Sequence, residues 1–209
     1  MSNFIQRILS ATILLLIVFY FVSQGSLLMN LFIIFCFLIS CYEWYALAKN
    51  FYLKITGFIF LLLSFYIFYL LSADYTEISF LILICIATDI GGYIFGKIFK
   101  GPKLTKISPN KTYAGVIGAY TLSLVAFLIF NKYFNQNTSF HIQLIIGTFL
   151  ISTVSQLGDL IISFFKRQSK IKNTGKLIPG HGGILDRIDG MIFAVPTFYL
   201  FKITGILNL

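Results

Sequence analysis

Charge is what this sequence has least of. Only 11% of its 209 residues are charged and only seven are acidic, whereas 58% are hydrophobic and 18% aromatic. A soluble domain is about a quarter charged and close to half apolar, so this composition excludes an ordinary water-soluble fold. Cysteine is scarce too. Cys36, Cys41 and Cys85 all lie in apolar stretches, form no CxxC pair, and are not spaced with His141 or His181 as zinc ligands would be. They read as small residues packed among helices rather than as a redox or metal motif. No nucleic-acid-binding module accompanies the formal charge of +9. The basic residues sit in short loops between hydrophobic runs, a placement that serves membrane topology and anionic ligands rather than DNA or RNA. None of those loops is long enough to be a soluble domain.

What is abundant is the long apolar run. A membrane-crossing helix needs about 20 mostly apolar residues, and the runs predict seven: about Ile5–Val22, Leu27–Leu47, Ile55–Ser72, Ile78–Ile98, Tyr113–Asn131, Ile142–Phe165 and Ile184–Ile206. The expected fold is therefore all-α and polytopic. Arg7 before the first run resembles the start of a signal peptide, but Ser23-Gln24-Gly25 leads directly into more apolar sequence, so a retained first helix is expected. Arg7, Lys49 and Lys54, the five lysines from Lys97 to Lys111, and the group Lys166, Arg167, Lys170, Lys172 and Lys176 all fall on one side of a seven-span arrangement. The positive-inside rule puts that side in the cytoplasm. Asp74, Glu77 and Lys132 fall on the other.

Asp74 and Glu77 read as solvated loop residues. Glu43, Asp89, Asp159, Asp186 and Asp189 lie inside or at the ends of apolar spans, where a carboxylate is costly unless paired or metal-bound. Asp186 and Asp189 are three positions apart, which on a helix puts both on one face. A divalent cation would relieve their repulsion, and Asp159 on a neighbouring helix could join them; oxygen ligands favour Mg²⁺ or Mn²⁺. The competing reading is a structural ion pair with Arg187 or Lys166.

Just before that pair stands Pro179-Gly180-His181-Gly182-Gly183. Its glycines let backbone approach an anion, and the helix that follows offers free N–H groups. His181 could donate to a phosphate or simply pack the turn. A second basic loop runs from Asp89, read as buried, through Tyr93, Gly96 and Lys97 to Ser108-Pro109-Asn110-Lys111-Thr112. There hydroxyls, an ammonium group and a helix start could meet a triphosphate or a lipid phosphate, or the lysines could only anchor headgroups. Of the 16 glycines, 12 fall between Gly91 and Gly118 or between Gly158 and Gly190, and some of these could serve close helix packing instead.

Taken together, Ser163, Lys166-Arg167, Lys172, Pro179-Gly180-His181-Gly182-Gly183 and Asp186-Arg187-Ile188-Asp189 resemble the signature of the phosphatidate cytidylyltransferases, or CDP-diacylglycerol synthases. Gly158-Asp159, the Asp89 to Thr112 region and Glu43-Trp44 also fit that family. The resemblance covers Asp89 to Leu209 well and the first 88 residues loosely. It divides the chain into N-terminal transmembrane helices, 1–88, and a catalytic transmembrane region, 89–209. Asn173 and Ala114 depart from the family pattern, and the chain is shorter than many bacterial members.

The resemblance implies a reaction: CTP and phosphatidic acid give CDP-diacylglycerol and pyrophosphate, with Mg²⁺. It implies Asp159, Asp186 and Asp189 as ligands of one or two cations, and Lys166 and Arg167 as catalytic charge neutralisers. Asp89, Ser108, Lys111, Thr112, Ser163, Lys172, His181, Gly182, Gly183 and Arg187 become candidate substrate contacts. The expected setting is a bacterial inner membrane, with the site facing the cytoplasm, phosphatidate arriving laterally among membrane lipids, and an architecture compatible with a homodimer. The competing functions are a CTP-dependent transferase acting on another membrane lipid, and a small ion or lipid transporter.

Overall fold

The structure, a computed structural model, describes residues 12–14, 16–22, 26–134, 142–175, 177–178 and 182–205. The described residues form helices and no strands: α1 (Thr12–Val22), α2 (Ser26–Leu47), α3 (Phe51–Leu71), α4 (Tyr75–Phe99), α5 (Tyr113–Phe134), α6 (Ile142–Gln168), α7 (Leu185–Ile188) and α8 (Met191–Ile203). Helix is what an apolar chain must adopt in lipid, because no water is present to satisfy unpaired backbone groups. Hydroxyls within the spans follow the same rule. Ser40 donates to the Cys36 carbonyl at 2.7 Å, and Thr148 to the Leu144 carbonyl at 2.8 Å.

The helices α2 to α6 are each long and apolar enough to cross a membrane, which makes this an all-α polytopic membrane protein. The expected first span and the end of the last run beyond the described residues. The seventh expected span is also not one continuous helix: it divides into α7, of 4 residues, and α8, of 13. At 1.5 Å per residue α8 is about 20 Å long, short of a hydrocarbon core of about 30 Å.

The chain packs as two compact bodies, one of residues Met1–Tyr75 and Phe165–Asp189, the other of Thr76–Phe164 and Gly190–Leu209. This division by packing is of a different kind from the motif boundary at residue 88. In the first body α2 lies on α3. Phe37 meets Phe65 edge-on at 5.5 Å, and the Trp44 indole lies directly on Gly57 while donating to the Leu53 carbonyl at 3.1 Å. A Cβ at position 57 would occupy the indole ring.

In the second body α4 and α5 meet along Gly91, Gly92 and Gly96 on one side and Gly115 and Gly118 on the other. A Cβ added to Gly91 would strike the backbone of Gly118. Small residues are what allow such close approach in lipid, where association rests on packing. Much of the glycine cluster that could have cradled an anion is thus engaged between helices. Phe80, fully buried, meets Phe130 at 5.1 Å and Phe198 at 6.1 Å.

Candidate functional site

In the first body, α6 ends just after Lys166-Arg167, and the ending is built from backbone. Lys170 takes the left-handed conformation (φ 57°), its N–H donates to the Arg167 carbonyl, and Ile171 N–H donates to the Lys166 carbonyl, both at 3.0 Å. These are the two bonds of a Schellman motif, here with lysine where glycine is usual. The Ser169 hydroxyl reaches back to the last carbonyl of α2, on Leu47, at 2.6 Å, and Lys49 caps the Gln168 carbonyl at 2.7 Å. The C-terminal ends of α2 and α6 are therefore tied together, and Lys166 is turned inward.

Lys166 is buried, 8% exposed, with its Nζ 2.9 Å from Asp186 Oδ1 and 3.7 Å from Asp189 Oδ2. Asp186 sits in α7 and Asp189 caps it at helical dihedrals, so the spacing of three does bring both carboxylates to one side. Each is only 8% exposed. The ammonium group between them is also the ion pair that the competing reading expected. The other oxygen of Asp186 accepts N–H donors from Thr174 at 2.8 Å and Gly183 at 3.0 Å.

Glu43, contributed by α2 and 1% exposed, stands beside this set. Its Oε2 accepts the Thr174 hydroxyl and the Leu185 N–H, both at 2.8 Å, and its Oε1 accepts the Ile184 N–H at 3.0 Å. A Cβ on Gly183 would run into both carboxylate oxygens, and one on Gly175 into Oε1. In this structure Gly183 packs against the Glu43 carboxylate, and the N–H groups of Ile184 and Leu185 that follow it donate to the same carboxylate. Gly182 has φ +94°, a value that favours glycine, and its Cα faces Asp186 and Asn173. Arg167, Lys172 and Arg187 are exposed, Arg167 also donating to the Ile171 carbonyl at 3.3 Å. His181, Lys176, Pro179 and Gly180 lie outside the described residues, as do Arg7 and His141.

The second body holds the other predicted set. Asp159 Oδ2 pairs with Lys111 Nζ at 2.7 Å, and Asp159 Oδ1 accepts the Ser163 hydroxyl at 3.2 Å. Lys111 Nζ also reaches the Gln156 carbonyl at 3.3 Å. Thr112 Oγ1 accepts the Gly115 N–H at 3.1 Å, which makes it the N-cap of α5. Ser108 contributes its carbonyl to Lys111 N–H at 3.0 Å and its own N–H to Thr105 Oγ1 at 3.2 Å, shaping the loop before that cap. Asp89, expected to be buried, is exposed on α4. Tyr93, one turn on, accepts from Lys97 at 3.4 Å.

Among the described residues no three His, Cys, Asp or Glu side chains gather into a ready metal site. The first body offers the pair Asp186 and Asp189, and the second offers Asp159. The donor chemistry fits a hard cation, since all three are carboxylates. Asp186 already accepts three bonds out of about four lone-pair positions, and Asp186, Asp189 and Lys166 together carry a formal charge of −1. Sequence reasoning gave Glu43 no site role and passed over Thr174. Glu43 was visible as an acid inside an apolar span, but its partners lie 131 to 142 residues away, beyond the reach of any local pattern.

These features define an integral membrane protein with lysine–carboxylate clusters at its helix ends. The chain belongs to the cytidylyltransferase family, whose model matches residues 72–204 and encloses both clusters but not Glu43. It is 40% identical over 128 residues to a phosphatidate cytidylyltransferase of Brucella suis biovar 1 (strain 1330), covering 61% of this chain and 47% of that protein. It is 43% identical over 120 residues to the protein of that name from Staphylococcus saprophyticus (57% and 46% covered). With the one from Haemophilus influenzae it shares 45% over 120 residues (55% and 41% covered). The chain spans about half the length of these relatives.

Proposed function

We propose that this protein transfers the cytidylyl group of CTP to phosphatidic acid, giving CDP-diacylglycerol and pyrophosphate at a bacterial inner membrane. The observation that carries this reading is the family match over residues 72–204, together with relatives named phosphatidate cytidylyltransferase. In the reaction a phosphatidate phosphate oxygen attacks the α-phosphorus of CTP. The bond from that phosphorus to the oxygen bridging to the β-phosphate breaks, and pyrophosphate leaves. Phosphatidate is already anionic near neutral pH, so the protein's work is positioning and charge neutralisation. Lys166 and Arg167 neutralise the triphosphate and the leaving group, while Lys172 and Arg187 are exposed cations suited to phosphate. A bound Mg²⁺ would supply further charge neutralisation; Asp186 and Asp189 are the residues to hold it in the first body, and Asp159 is the carboxylate suited to a cation in the second. The basic loops support a site at the cytoplasmic face by the positive-inside rule, with phosphatidate arriving from the bilayer, and a homodimer is the assembly in keeping with a lateral lipid path.

The test is product formation by the purified chain in nanodiscs supplied with CTP, phosphatidate and Mg²⁺. CDP-diacylglycerol that disappears with EDTA, and falls at least 100-fold in Asp186→Asn and Asp189→Asn, supports the reaction and the metal assignment together. Activity surviving in both variants sinks the metal assignment. No product from folded protein with phosphatidate, but product with another lipid phosphate, sinks the acceptor.

A further inference from the structure

The loop between α6 and α7 is closed by two carboxylates, and only one of them lies in the family's motif. Asp186 takes the Thr174 N–H, the Gly183 N–H and Lys166. Glu43 takes the Thr174 hydroxyl and the next two N–H groups, of Ile184 and Leu185. Thr174 therefore bonds to both, its backbone to Asp186 and its side chain to Glu43. The two ends of the loop, Thr174 and 183–185, are held together at these carboxylates. The bridge between Ile178 and Gly182 narrows the loop's neck, with N–H···O distances of 2.8 and 3.1 Å.

A buried carboxylate in an apolar span is costly unless its oxygens are satisfied, and Glu43 meets that condition only by gripping this loop. Gly183 and Gly175 give it room, because a side chain at either position would occupy the carboxylate's own place. The hydrogen bonds fix the loop ends, the loop ends fix two of the donors to Asp186, and Asp186 and Lys166 fix each other. A carboxylate on α2 is thus connected to the charged set through the hydrogen bonds of this loop.

We propose that Glu43, acting through Thr174, is a positioning residue for the Lys166–Asp186–Asp189 set: it holds the loop in the shape that aims those groups at the nucleotide. The proposal deepens the cytidylyltransferase reading and rests on it for its kinetic arm. Its structural arm does not.

The experiment compares Glu43→Gln, Thr174→Val and Thr174→Ser with the parent chain in nanodiscs. One readout is amide hydrogen exchange over 174–185, and the other is the steady-state dependence on CTP and Mg²⁺. Gln keeps the shape of Glu43 but turns one acceptor into an N–H₂ facing N–H donors. The expected result is at least tenfold faster exchange at Ile184 and Leu185, with a rise of about tenfold in KM for CTP or in the Mg²⁺ concentration giving half-maximal rate. Thr174→Val, which removes only the hydroxyl donor, should move both readouts in the same direction, and Thr174→Ser should restore parental behaviour. If Glu43→Gln does not fold, the Thr174 pair carries the test alone. Unchanged exchange in the variants overturns the clamp. Faster exchange with unchanged KM and Mg²⁺ dependence overturns positioning and leaves Glu43 a purely structural residue. A parent chain that makes no CDP-diacylglycerol at all fails the functional reading instead, and the exchange data still decide the clamp.

Discussion

Lys166→Met removes one buried ammonium group and leaves two buried carboxylates behind. Breaking a buried ion pair from one side costs about 3–5 kcal/mol, because the remaining charge is stranded rather than merely unpaired. Here the lower end applies. Asp186 keeps two N–H donors, from Thr174 and Gly183, and the 3.7 Å separation from Asp189 is too long for a hydrogen bond. A loss of about 3 kcal/mol, at about 2–4 °C per kcal/mol for a chain of this size, lowers Tm by about 6–12 °C. The single tryptophan is a convenient reporter. Trp44 lies in the same body as Lys166, with its ring edge-on to Phe165 at 5.3 Å, so its fluorescence in nanodiscs follows the unfolding of the part that is perturbed. Mg²⁺ supplies the second arm. If the carboxylate pair is a cation site, the ion can stand where the ammonium stood, and at 100 times its Kd it returns about 2.7 kcal/mol. The variant should therefore gain more from Mg²⁺ than the parent does. A Lys166→Met protein that melts within about 1 °C of the parent refutes the charge-compensation argument. One that melts early but ignores Mg²⁺ makes Lys166 a structural counter-ion and removes the pair as a metal site.

Two further perturbations test the second body. Gly91→Ala puts a methyl group against the Gly118 backbone, which cannot yield as a side chain would, so α4 and α5 must part; the cost is about 1–3 kcal/mol, and thermal stability of a fluorescent fusion judged by size exclusion should fall accordingly, parental stability refuting the close contact. Lys202→Met removes the 2.6 Å partner of Glu77, whose side chain is 10% exposed against 40% for the lysine. Screening at the exposed end keeps the expected loss to about 1 kcal/mol, reduced at high salt and avoided by Lys202→Arg, and a salt-independent loss would show that packing rather than charge is responsible.

The helices were legible because apolar length is written locally. The middle five runs became α2 to α6 with ends shifted by a few residues, α3 starting four residues early at Phe51 because nothing between Asn50 and Ile55 breaks a helix. The last run contains two helical segments rather than one. Its hydropathy is continuous, and Asp189 and Gly190, between the two segments, both keep helical dihedrals. The pairing of Lys166 with Asp186 could be foreseen as one of two readings, since like charges three apart need a counter-charge of some kind. The exposure of Asp89 could not. Acidic character inside an apolar run signals a cost, not which face of the helix bears it.

Glu43 shows where this kind of reading stops. A run of glycines before a helix start correctly announces backbone N–H groups converging on negative charge. It does not say whose charge. In this fold Gly183, Ile184 and Leu185 have their donors taken by Asp186 and Glu43, so these three groups are satisfied from within before any phosphate arrives. The consequence is chemical rather than architectural. On the proposed function, an incoming anion is met by exposed side-chain cations such as Arg167 and Lys172 rather than by these three backbone donors. Side-chain recognition of that kind weakens with salt, because exposed charges are screened over about 10 Å at 0.1 M. Within residues 163–189 the described groups therefore divide: Lys166 and Asp186 are buried and hold the loop ends, while Arg167 and Lys172 are exposed.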